Sequence, residues 1–579
     1  MARMASPRFP EPATAASSTE PIAPAPPTPI DEIDRAVERV ASKKDEWTQV
    51  PIPERIRLLE RCIAGLLAVA DDWVRDACRA KGGDPTGPLA GEEWLAGPAP
   101  TVRNARLLIK SLEALGQRRL PKVTAREDGQ LVARVFPADG FEKALFAGFT
   151  ADVWIEPGRP ASQGRVYREP SPTGKVALVL GAGNVGSIAP MDAFYKLLVE
   201  NEVVVLKTNP VNAYLGVHWE RALAPFIESG YLAIVHGGAK EGAYLAEHPR
   251  IDTLHVTGSD KTYDAIVWGS SPEEQARRKA AHDLKNKRPF SAELGCVTPV
   301  LVVPGPWSAA DMDFQARQVA GMVANNASFN CTAAKVLVVA KGWLQREAFL
   351  RKVEAALAAT PKRKAYYPGA VDRFRAFKDH YARARVVGAG ADEDRVVPWT
   401  VLPDVEAAKG EYALSNEAFC GVLATVTLDA ASPVDFLAKA VDFANDRCWG
   451  TLSCVILVHP STREEHPREV DQAIASLRYG TIGVNAWSSV GYALVSPTWG
   501  AFPGHPPEDI QSGSGVVHNA FLLDHPQKSV VTAPFRIRPT PAWFADHKNQ
   551  LRLGQKLTTM EAAPTIGKLA SVAFEGLKG

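Results

Sequence analysis

The sequence predicts an α/β protein that consists of two consecutive α/β domains with mostly parallel sheets. Three observations support this fold class. Short apolar runs alternate with helical segments between residues 176 and 259, which is the pattern of repeated β-α-β units. A second series of the same kind begins near residue 297. The 579 residues also exceed what a single core accommodates and suit two or three domains.

The N-terminal part of the chain combines a low-complexity segment with helices. Residues 1–29 are rich in proline, alanine and serine and are predicted to be disordered, because such a composition cannot build a core. Helical periodicity begins near Ile30 and is clearest over residues 53–73, where Pro53 stands at a position suited to a helix start. The apolar face of that helix contains Ile56, Leu59, Cys62, Ile63, Leu66 and Leu67.

Residues 130–168 interrupt this helical pattern. The segments "QLVARVF" and "GRVYREP" alternate like strands, and a stretch containing glycine and proline separates them. We interpret this region as a hairpin-like excursion from the first domain.

The two β-α-β series follow the excursion. In the first series the predicted strands cover residues 176–180, 203–207, 232–238 and 253–259. In the second series they cover residues 297–305, 333–340, 420–428 and 453–460. The tail, residues 541–579, has helical character near its end, and the sequence assigns it no role.

Composition excludes several classes of function. The formal net charge of +1 provides no field that favours nucleic acid, and no run of about 18 apolar residues predicts a transmembrane helix. The seven cysteines are odd in number and form no C-x-x-C pair, so neither a metal site nor a redox dithiol is predicted. With no apolar secretory segment at the N-terminus, these features predict a reduced, cytoplasmic protein.

Two residues are candidates for chemistry. Cys331, in "NNASFNCTAAKVLVV", stands between a helical stretch and a strand, where a cysteine can be exposed and have a lowered pKa. Glu293, in "SAELGCVTPVLVV", stands just before an apolar strand, where a partly desolvated carboxylate can act as a base. Each residue alone is equally consistent with a structural role, as a packed cysteine and as a helix-capping or ion-paired glutamate.

Together, these stretches resemble the aldehyde dehydrogenase superfamily over roughly residues 30–535. Six segments in the family order carry the resemblance: "VHGGAKEGAYLAEHPRIDTLHVTGS", "ELGC", "NASFNCTAAK", "NEAFCGVL", "NDRCWGTLSCVI" and "LRYGTIGVNAW". The resemblance implies that Cys331 is the nucleophile and Glu293 the general base, and that Glu417 and Phe419 hold the nicotinamide ribose. The first of the six segments matches the family's cofactor segment, and it contains Gly238, Gly242, Gly258 and Ser259.

The turn "GAGNVG" after the first strand has two interpretations. Its three glycines spell the dinucleotide-binding pattern G-x-G-x-x-G, but the next strand ends in Lys207 rather than in the acidic residue that this pattern needs. The resemblance instead implies that Asn184 stabilises the oxyanion, because it precedes the cofactor lysine, Lys207, by the family spacing of 23 residues. The pyrophosphate would then lie at the turn formed by Gly258 and Ser259.

The resemblance implies NAD(P) as cofactor. Pro210 occupies the position where many NAD-preferring relatives carry a glutamate that binds the ribose hydroxyls. Without that carboxylate, a 2′-phosphate meets no charge repulsion and can pair with Lys207. Acceptance of NADP is therefore predicted, and the preference between NADP and NAD stays open.

The implied reaction is oxidation of an aldehyde to a carboxylic acid through a thioester on Cys331, which a water activated by Glu293 hydrolyses. An acyl-CoA reductase or CoA-acylating aldehyde dehydrogenase, which would not need Glu293, is one alternative. A non-catalytic scaffold protein on the same fold is another. Phe329 and Trp487 indicate an apolar aldehyde, although both also suit core packing.

The resemblance also divides the chain. Residues 30–129 and 169–293 would form the NAD(P)-binding domain, and residues 294–514 would form the catalytic domain with the nucleophile. Residues 130–168 and 515–540 would form a β extension for oligomerisation, so a homodimer or homotetramer is expected.

Overall fold

The computed structural model describes residues 25–115, 121–169, 171–388 and 396–579. Most of the predicted disordered segment, residues 1–24, lies outside this part of the chain. The strands, in chain order, are β1 (Lys122–Ala125), β2 (Leu131–Phe136), β3 (Thr150–Ile155), β4 (Val176–Leu180), β5 (Val203–Lys207), β6 (Leu232–Val235), β7 (Thr253–Gly258), β8 (Phe290–Leu294), β9 (Pro299–Val302), β10 (Val336–Ala340), β11 (Arg385–Val386), β12 (Thr400–Leu402), β13 (Val422–Leu428), β14 (Ser453–Leu457), β15 (Thr481–Val484), β16 (Trp499–Gly500), β17 (Val516–His518) and β18 (Pro526–Thr532).

Helices connect and cover these strands. Those before the second β-α-β series are α1 (Ile30–Ala41), α2 (Lys44–Gln49), α3 (Ile52–Ala80), α4 (Ala90–Ala96), α5 (Pro98–Ala114), α6 (Gly140–Leu145), α7 (Arg165–Arg168), α8 (Ile188–Phe194), α9 (Gly216–Ala222), α10 (Ala224–Glu228), α11 (Ala239–Glu247), α12 (Asp260–Val267) and α13 (Pro272–Ala280). The remainder are α14 (Ala309–Ala324), α15 (Arg346–Ala359), α16 (Ala370–His380), α17 (Tyr412–Ser415), α18 (Pro433–Arg447), α19 (Pro460–Glu465), α20 (Pro467–Ser476), α21 (Ser489–Leu494), α22 (Gln550–Ala562) and α23 (Ile566–Gly576).

The first β-α-β series forms a parallel sheet of five strands within the described chain, in the order β6-β5-β4-β7-β8. All five residues of β4 and of β5 are buried, as expected for parallel strands covered on both faces. The fifth strand, β8, was not predicted. It contains Glu293, which therefore lies within a strand rather than before one.

The second series forms the centre of a larger sheet, which has eleven strands within the described residues. Its parallel part runs β18-β15-β14-β9-β10-β13-β12, and β11 pairs antiparallel at one end. At the other end β3 pairs antiparallel with β18, followed by β2 and β1. The predicted α/β class with mostly parallel sheets is therefore confirmed.

The excursion at residues 130–168 differs from its prediction in one element. The segment "QLVARVF" does form a strand, β2, but Arg165–Arg168 within "GRVYREP" form the short helix α7, and β3 supplies the second strand. Gly164 has φ of 64°, which starts the helical turn, and the Tyr167 hydroxyl donates to the Leu198 carbonyl oxygen. A short alternating run does not distinguish a strand from a single helical turn.

The predicted N-terminal helix corresponds to α3. Leu59, Cys62 and Leu66 are buried on its inner face, while Leu67, at the edge of the predicted apolar face, is 37% exposed. The predicted helical character of the tail is confirmed by α23. In the described part of the chain, no helix combines the length and apolar character needed to cross a membrane.

Candidate active site

A cavity of about 1500 Å³ opens at the carboxyl ends of the five-stranded sheet and extends to the loops of the larger sheet. In open α/β sheets, ligands bind at this edge of the strands. The structure brings all ten candidate site residues to the wall of this one cavity: Asn184, Lys207, Gly238, Gly242, Gly258, Ser259, Glu293, Cys331, Glu417 and Phe419.

A second, smaller cavity of about 220 Å³ adjoins the first. Its wall is mostly apolar and includes Pro100, Phe146, Trp487, Val490, Tyr492 and Trp499. Cys331 and Glu293 line both cavities. The two residues therefore stand at the boundary between a large space and a small apolar one.

The loop that carries Cys331 has an unusual backbone. After α14, three successive residues other than glycine, Asn326, Ala327 and Ser328, have positive φ values of 52°, 55° and 70°. Such conformations cost roughly 1–2 kcal/mol each and persist only where the surroundings impose them. Strained backbone of this kind concentrates at functional sites.

Asn326 holds this loop in place. Its side-chain Nδ2 donates to the carbonyl oxygens of Asn184, at 3.0 Å, and of Phe329, at 3.1 Å. Its Oδ1 accepts from the Lys81 Nζ and the Tyr366 hydroxyl, both at 3.0 Å. The nucleophile loop is thus tied to the "GAGNVG" turn through one buried amide.

Lys81 and Tyr366 strengthen the same connection. The Lys81 Nζ and the Tyr366 hydroxyl each also donate to the Asn184 carbonyl oxygen at 3.1 Å. Lys81 is buried and forms an ion pair with Glu93 at 2.8 Å. Lys81 and Tyr366 were not predicted because they lie far apart in the chain and belong to none of the quoted motifs. Asn326 begins the segment "NASFNCTAAK", but that pattern does not report its hydrogen bonds to carbonyl oxygens.

Asn184 lines the large cavity and lies in the tightly packed "GAGNVG" turn. Its Nδ2 donates to the Phe329 carbonyl oxygen at 3.0 Å, which leaves the second N–H of the amide for another acceptor. A Cβ at Gly183 would lie 2.6 Å from the Asn209 side chain, and one at Gly186 would lie 2.9 Å from the Trp73 ring. The glycines of this turn therefore allow close packing against protein atoms.

Cys331 is half-buried, whereas the other six cysteines, all in described positions, are buried. The pKa of the Cys331 thiol is raised well above its ordinary value by burial and by the nearby carboxylates of Glu293 and Glu417. The expectation of an exposed cysteine with a lowered pKa is therefore wrong for this structure. Burial and the two carboxylates outweigh the positive charge of Lys335, which lowers the pKa of the thiol in part.

Glu293 faces the thiol from β8. Burial raises its pKa to about 8, the Cys331 thiol lowers it in part, and the carboxylate of Asp192 raises it further. A carboxyl group with a pKa near neutral is suited to proton transfer at physiological pH. Cys331 and Glu293 thus form an acid–base pair at the boundary of the two cavities.

Lys335 is a further residue whose role was not predicted from the sequence, although it ends the segment "NASFNCTAAK". Its buried Nζ donates to the carbonyl oxygens of Asn330 and Cys331, each at 3.2 Å, and forms an ion pair with Glu417 at 3.0 Å. Glu417 also accepts from the Cys296 backbone N–H at 3.3 Å. Lys335 therefore fixes the predicted nicotinamide-ribose residue against the nucleophile loop.

The far end of the large cavity carries the predicted cofactor residues. Burial lowers the pKa of Lys207 to about 8, and the nearby Glu241 carboxylate raises it in part. The Ser259 side chain accepts from the Thr262 N–H and caps α12, next to Gly258, where a Cβ would lie 3.6 Å from the Val256 Cγ2, an ordinary van der Waals contact. A helix N-terminus and a lysine thus face the same cavity, a combination that suits an anionic ligand.

The fold and site correspond to those of an oxidoreductase that acts on carbonyl compounds. The sequence profile of the aldehyde dehydrogenase family matches residues 151–501, more than half of the chain. The chain belongs to the aldehyde dehydrogenase family.

Solved structures of this family share the fold. An NAD-dependent aldehyde dehydrogenase from Sinorhizobium meliloti has 18% identity and a TM-score of 0.59, covering 89% of both chains. An aldehyde dehydrogenase from Mycobacterium tuberculosis, solved with NAD+, has 18% identity and a TM-score of 0.57, covering 87% of this chain and 91% of its own. An NADP-dependent glyceraldehyde-3-phosphate dehydrogenase from Bacillus halodurans C-125, solved with NADP, has 16% identity and a TM-score of 0.57, covering 86% and 91%.

Proposed function

We propose that this protein oxidises an apolar aldehyde to the carboxylic acid with NAD(P), using Cys331 as nucleophile and Glu293 as general base. The observation that carries the proposal is the position of these two residues on the walls of both cavities. A cysteine there can hold an aldehyde from the small cavity in contact with a cofactor in the large one.

The residues of the large cavity fit a dinucleotide. The volume of about 1500 Å³ is sufficient, Lys207 and the N-terminus of α12 supply positive charge, and Gly258 leaves space for a close approach. NAD(P)+ bound in this cavity supplies the hydride acceptor, and its cationic ring favours the thiolate of Cys331. Two of the solved relatives bind NAD+ or NADP, which supports the same assignment.

Cys331 attacks the aldehyde carbon and forms a tetrahedral adduct. The free N–H of the Asn184 amide and the backbone N–H of Cys331 stabilise the oxyanion, and such a donor is typically worth about 3–4 kcal/mol. Loss of hydride from the adduct leaves a thioester on Cys331. The hydrogen bonds of Asn326, Lys81 and Tyr366 fix the positions of the Asn184 amide and the Cys331 thiol relative to each other.

Glu293 completes the reaction. Its carboxylate takes a proton from water, the hydroxide adds to the thioester, and the carboxylic acid leaves with regeneration of the thiolate. The buried position of Glu293 and its raised pKa support this role. A general base at this place favours hydrolysis over transfer of the acyl group to coenzyme A.

The wall of the small cavity supports an uncharged substrate. Arg103 lines it, but its guanidinium is neutralised by Glu561 at 2.8 Å and Glu142 at 2.6 Å, and it donates to the Leu494 carbonyl oxygen at 2.5 Å. No charge on Arg103 is therefore available for an anionic substrate. Aromatic and aliphatic side chains form most of the remaining surface.

We further propose that NADP is accepted and that the protein is a cytoplasmic homodimer or homotetramer. Pro210 lines the large cavity beside Lys207 and places no carboxylate there, which supports acceptance of a 2′-phosphate. The short β1 forms an exposed edge of the large sheet, which supports pairing between subunits. Light scattering after size-exclusion chromatography tests the assembly state.

The activity is tested by NAD(P)H absorbance with a panel of aldehydes, with and without coenzyme A. We expect cofactor reduction and release of the free acid without coenzyme A, and no acid from Cys331→Ala. Acid formation that survives in Cys331→Ala would remove the proposed nucleophile. A strict requirement for coenzyme A would replace hydrolysis with acyl transfer.

A further inference from the structure

The C-terminal tail reaches the small cavity. Residues 541–579 lie beyond the segment that the family profile matches, and the sequence assigns them no role. Five of them nevertheless line the cavity next to Cys331: Ala542, Trp543, Gln550, Leu557 and Glu561. Gln550, Leu557 and Glu561 are spaced by seven and four residues, so they share one face of α22.

α22 is packed at close range against α4. A Cβ at Gly91 of α4 would lie 2.3 Å from the carbonyl carbon of Gln550, and a Cβ at Gly554 would lie 2.5 Å from the Trp94 Cβ. Real Cβ atoms do not approach this closely, so the two glycines allow the helix backbones to come together. The tail helix is therefore an integral part of the structure at this position.

Buried ion pairs fix the end of α22. The Glu561 carboxylate pairs with Arg103 at 2.8 Å and with Arg106, and Arg103 also lines the cavity. Breaking a buried charge pair of this kind is strongly unfavourable. The face of α22 is thus held rigidly against the small cavity.

We propose that α22, together with Trp543, is a wall of the aldehyde-binding cavity and sets the upper size limit of the substrate. This inference rests on the proposed function. The cavity volume of about 220 Å³ suits an uncharged aldehyde with a single aromatic ring or a short aliphatic chain, since a cavity of about 150 Å³ holds benzene. Leu557 and Trp543 are the large apolar side chains of the tail on that wall.

The test compares benzaldehyde with 2-naphthaldehyde in Leu557→Ala, Trp543→Ala and Leu557→Phe. Arg552→Ala, on the exposed face of the same helix, is the matched control. In both alanine variants we expect kcat/KM for 2-naphthaldehyde relative to benzaldehyde to rise by about tenfold or more, as for other changes of pocket size. Leu557→Phe should lower the ratio, and Arg552→Ala should leave it unchanged.

A binding measurement separates the failure of this inference from the failure of the proposed function. Isothermal titration calorimetry of benzamide and 2-naphthamide, in the presence of NADP+, reports the size of the cavity without turnover. Suppose that the wild type oxidises no aldehyde while the affinity for 2-naphthamide relative to benzamide rises in Leu557→Ala and Trp543→Ala. That result would support α22 and Trp543 as a wall of the cavity and contradict the proposed function. If both the kcat/KM ratio of the aldehydes and the affinity ratio of the amides equal those of Arg552→Ala, the inference that the tail limits substrate size is wrong. Should Leu557→Ala fail to fold, Trp543→Ala and Leu557→Phe decide.

Discussion

The two cavities that meet at Cys331 are built in different ways. The large one is lined by strand ends, helix N-termini and glycines that occur in short segments of the sequence, such as Gly238 with Gly242 and Gly258 with Ser259. The small one is lined by side chains from α4 and α5 and, hundreds of residues further along the chain, from α21 and the tail. Backbone geometry therefore defines the large cavity, which we propose binds the cofactor, and side-chain packing defines the small cavity, which we propose binds the aldehyde.

This difference determines which variants affect which ligand. Changes at the boundary should affect chemistry, changes in the large cavity should affect the dinucleotide alone, and changes in the small cavity should affect the aldehyde alone. A variant in one cavity that changes binding of the ligand in the other cavity would show that the two cavities are coupled.

Glu293→Gln should have the largest effect among the following changes, because the residue lies on both cavities. We expect kcat to fall by about 10²- to 10⁴-fold, the usual contribution of a general base. A burst of NAD(P)H close to one per active site should persist in stopped-flow absorbance, since Cys331 can still be acylated.

The pH dependence gives the control for this prediction. The pKa of Glu293 is about 8, so wild-type kcat should rise with pH through this value, while Glu293→Gln should show no such rise. Because the folded-state pKa lies above the ordinary value, its protonated form favours folding, and this stability is lost as pH rises through 8. Between about pH 5 and pH 9 the melting temperature of the wild type should therefore fall further than that of Glu293→Gln, whose side chain does not titrate. Absence of the NAD(P)H burst in Glu293→Gln would contradict the assignment of Glu293 to the hydrolysis step.

Asn184→Ala decides between the two interpretations of the "GAGNVG" turn. If the amide stabilises the oxyanion, kcat should fall by about 10²- to 10³-fold and the dissociation constant of NADPH should stay within twofold. Fluorescence titration of NADPH measures the second quantity. A large loss of NADPH affinity with unchanged acylation would instead place the pyrophosphate at this turn.

Pro210→Glu should affect the cofactor side alone. A carboxylate beside Lys207 would repel a 2′-phosphate, so kcat/KM for NADP should fall by about tenfold while the value for NAD is kept or increased. Pro210→Gln, which adds no charge, is the matched control. The KM for NADP in the wild type should also rise above pH 8, because Lys207, with its pKa of about 8, loses its charge there. Equal effects of both variants on both cofactors would contradict a charge-based preference.

Asn326→Ala and Asn326→Gly should have the smallest effects of these changes, and the main effect should be on the free energy of unfolding. Both remove the side-chain hydrogen bonds to Asn184 and Phe329 and should lower the free energy of unfolding by about 1–3 kcal/mol. Glycine accepts the φ of 52° without strain, so Asn326→Gly should be more stable than Asn326→Ala by about 1 kcal/mol. Urea denaturation measures both differences, and equal stabilities would show that the loop is not strained at this residue.

The sequence predicted much of the fold and of the candidate site. The β-α-β periodicity identified β4 to β7 and the central strands of the larger sheet, because apolar runs of parallel strands are continuous and distinctive. It missed β8 and misassigned residues 164–170, because neither segment is long enough for its period to be recognised. Lys335, Lys81 and Tyr366 were missed for another reason, since each acts through carbonyl oxygens that no sequence pattern reports.

The sequence by itself determined the fold class, because the apolar runs of parallel strands are local. The resemblance to the family, in six short segments and in the spacing of Asn184 and Lys207, supplied the ten residues that meet at the large cavity. The tertiary structure alone decided the environment of those residues. Burial and the nearby carboxylates of Glu293 and Glu417 give the Cys331 thiol a raised pKa rather than a lowered one, and the packing of α22 against α4 brings the tail to the small cavity. Both effects arise from contacts between residues that are distant in the chain, which local patterns do not encode.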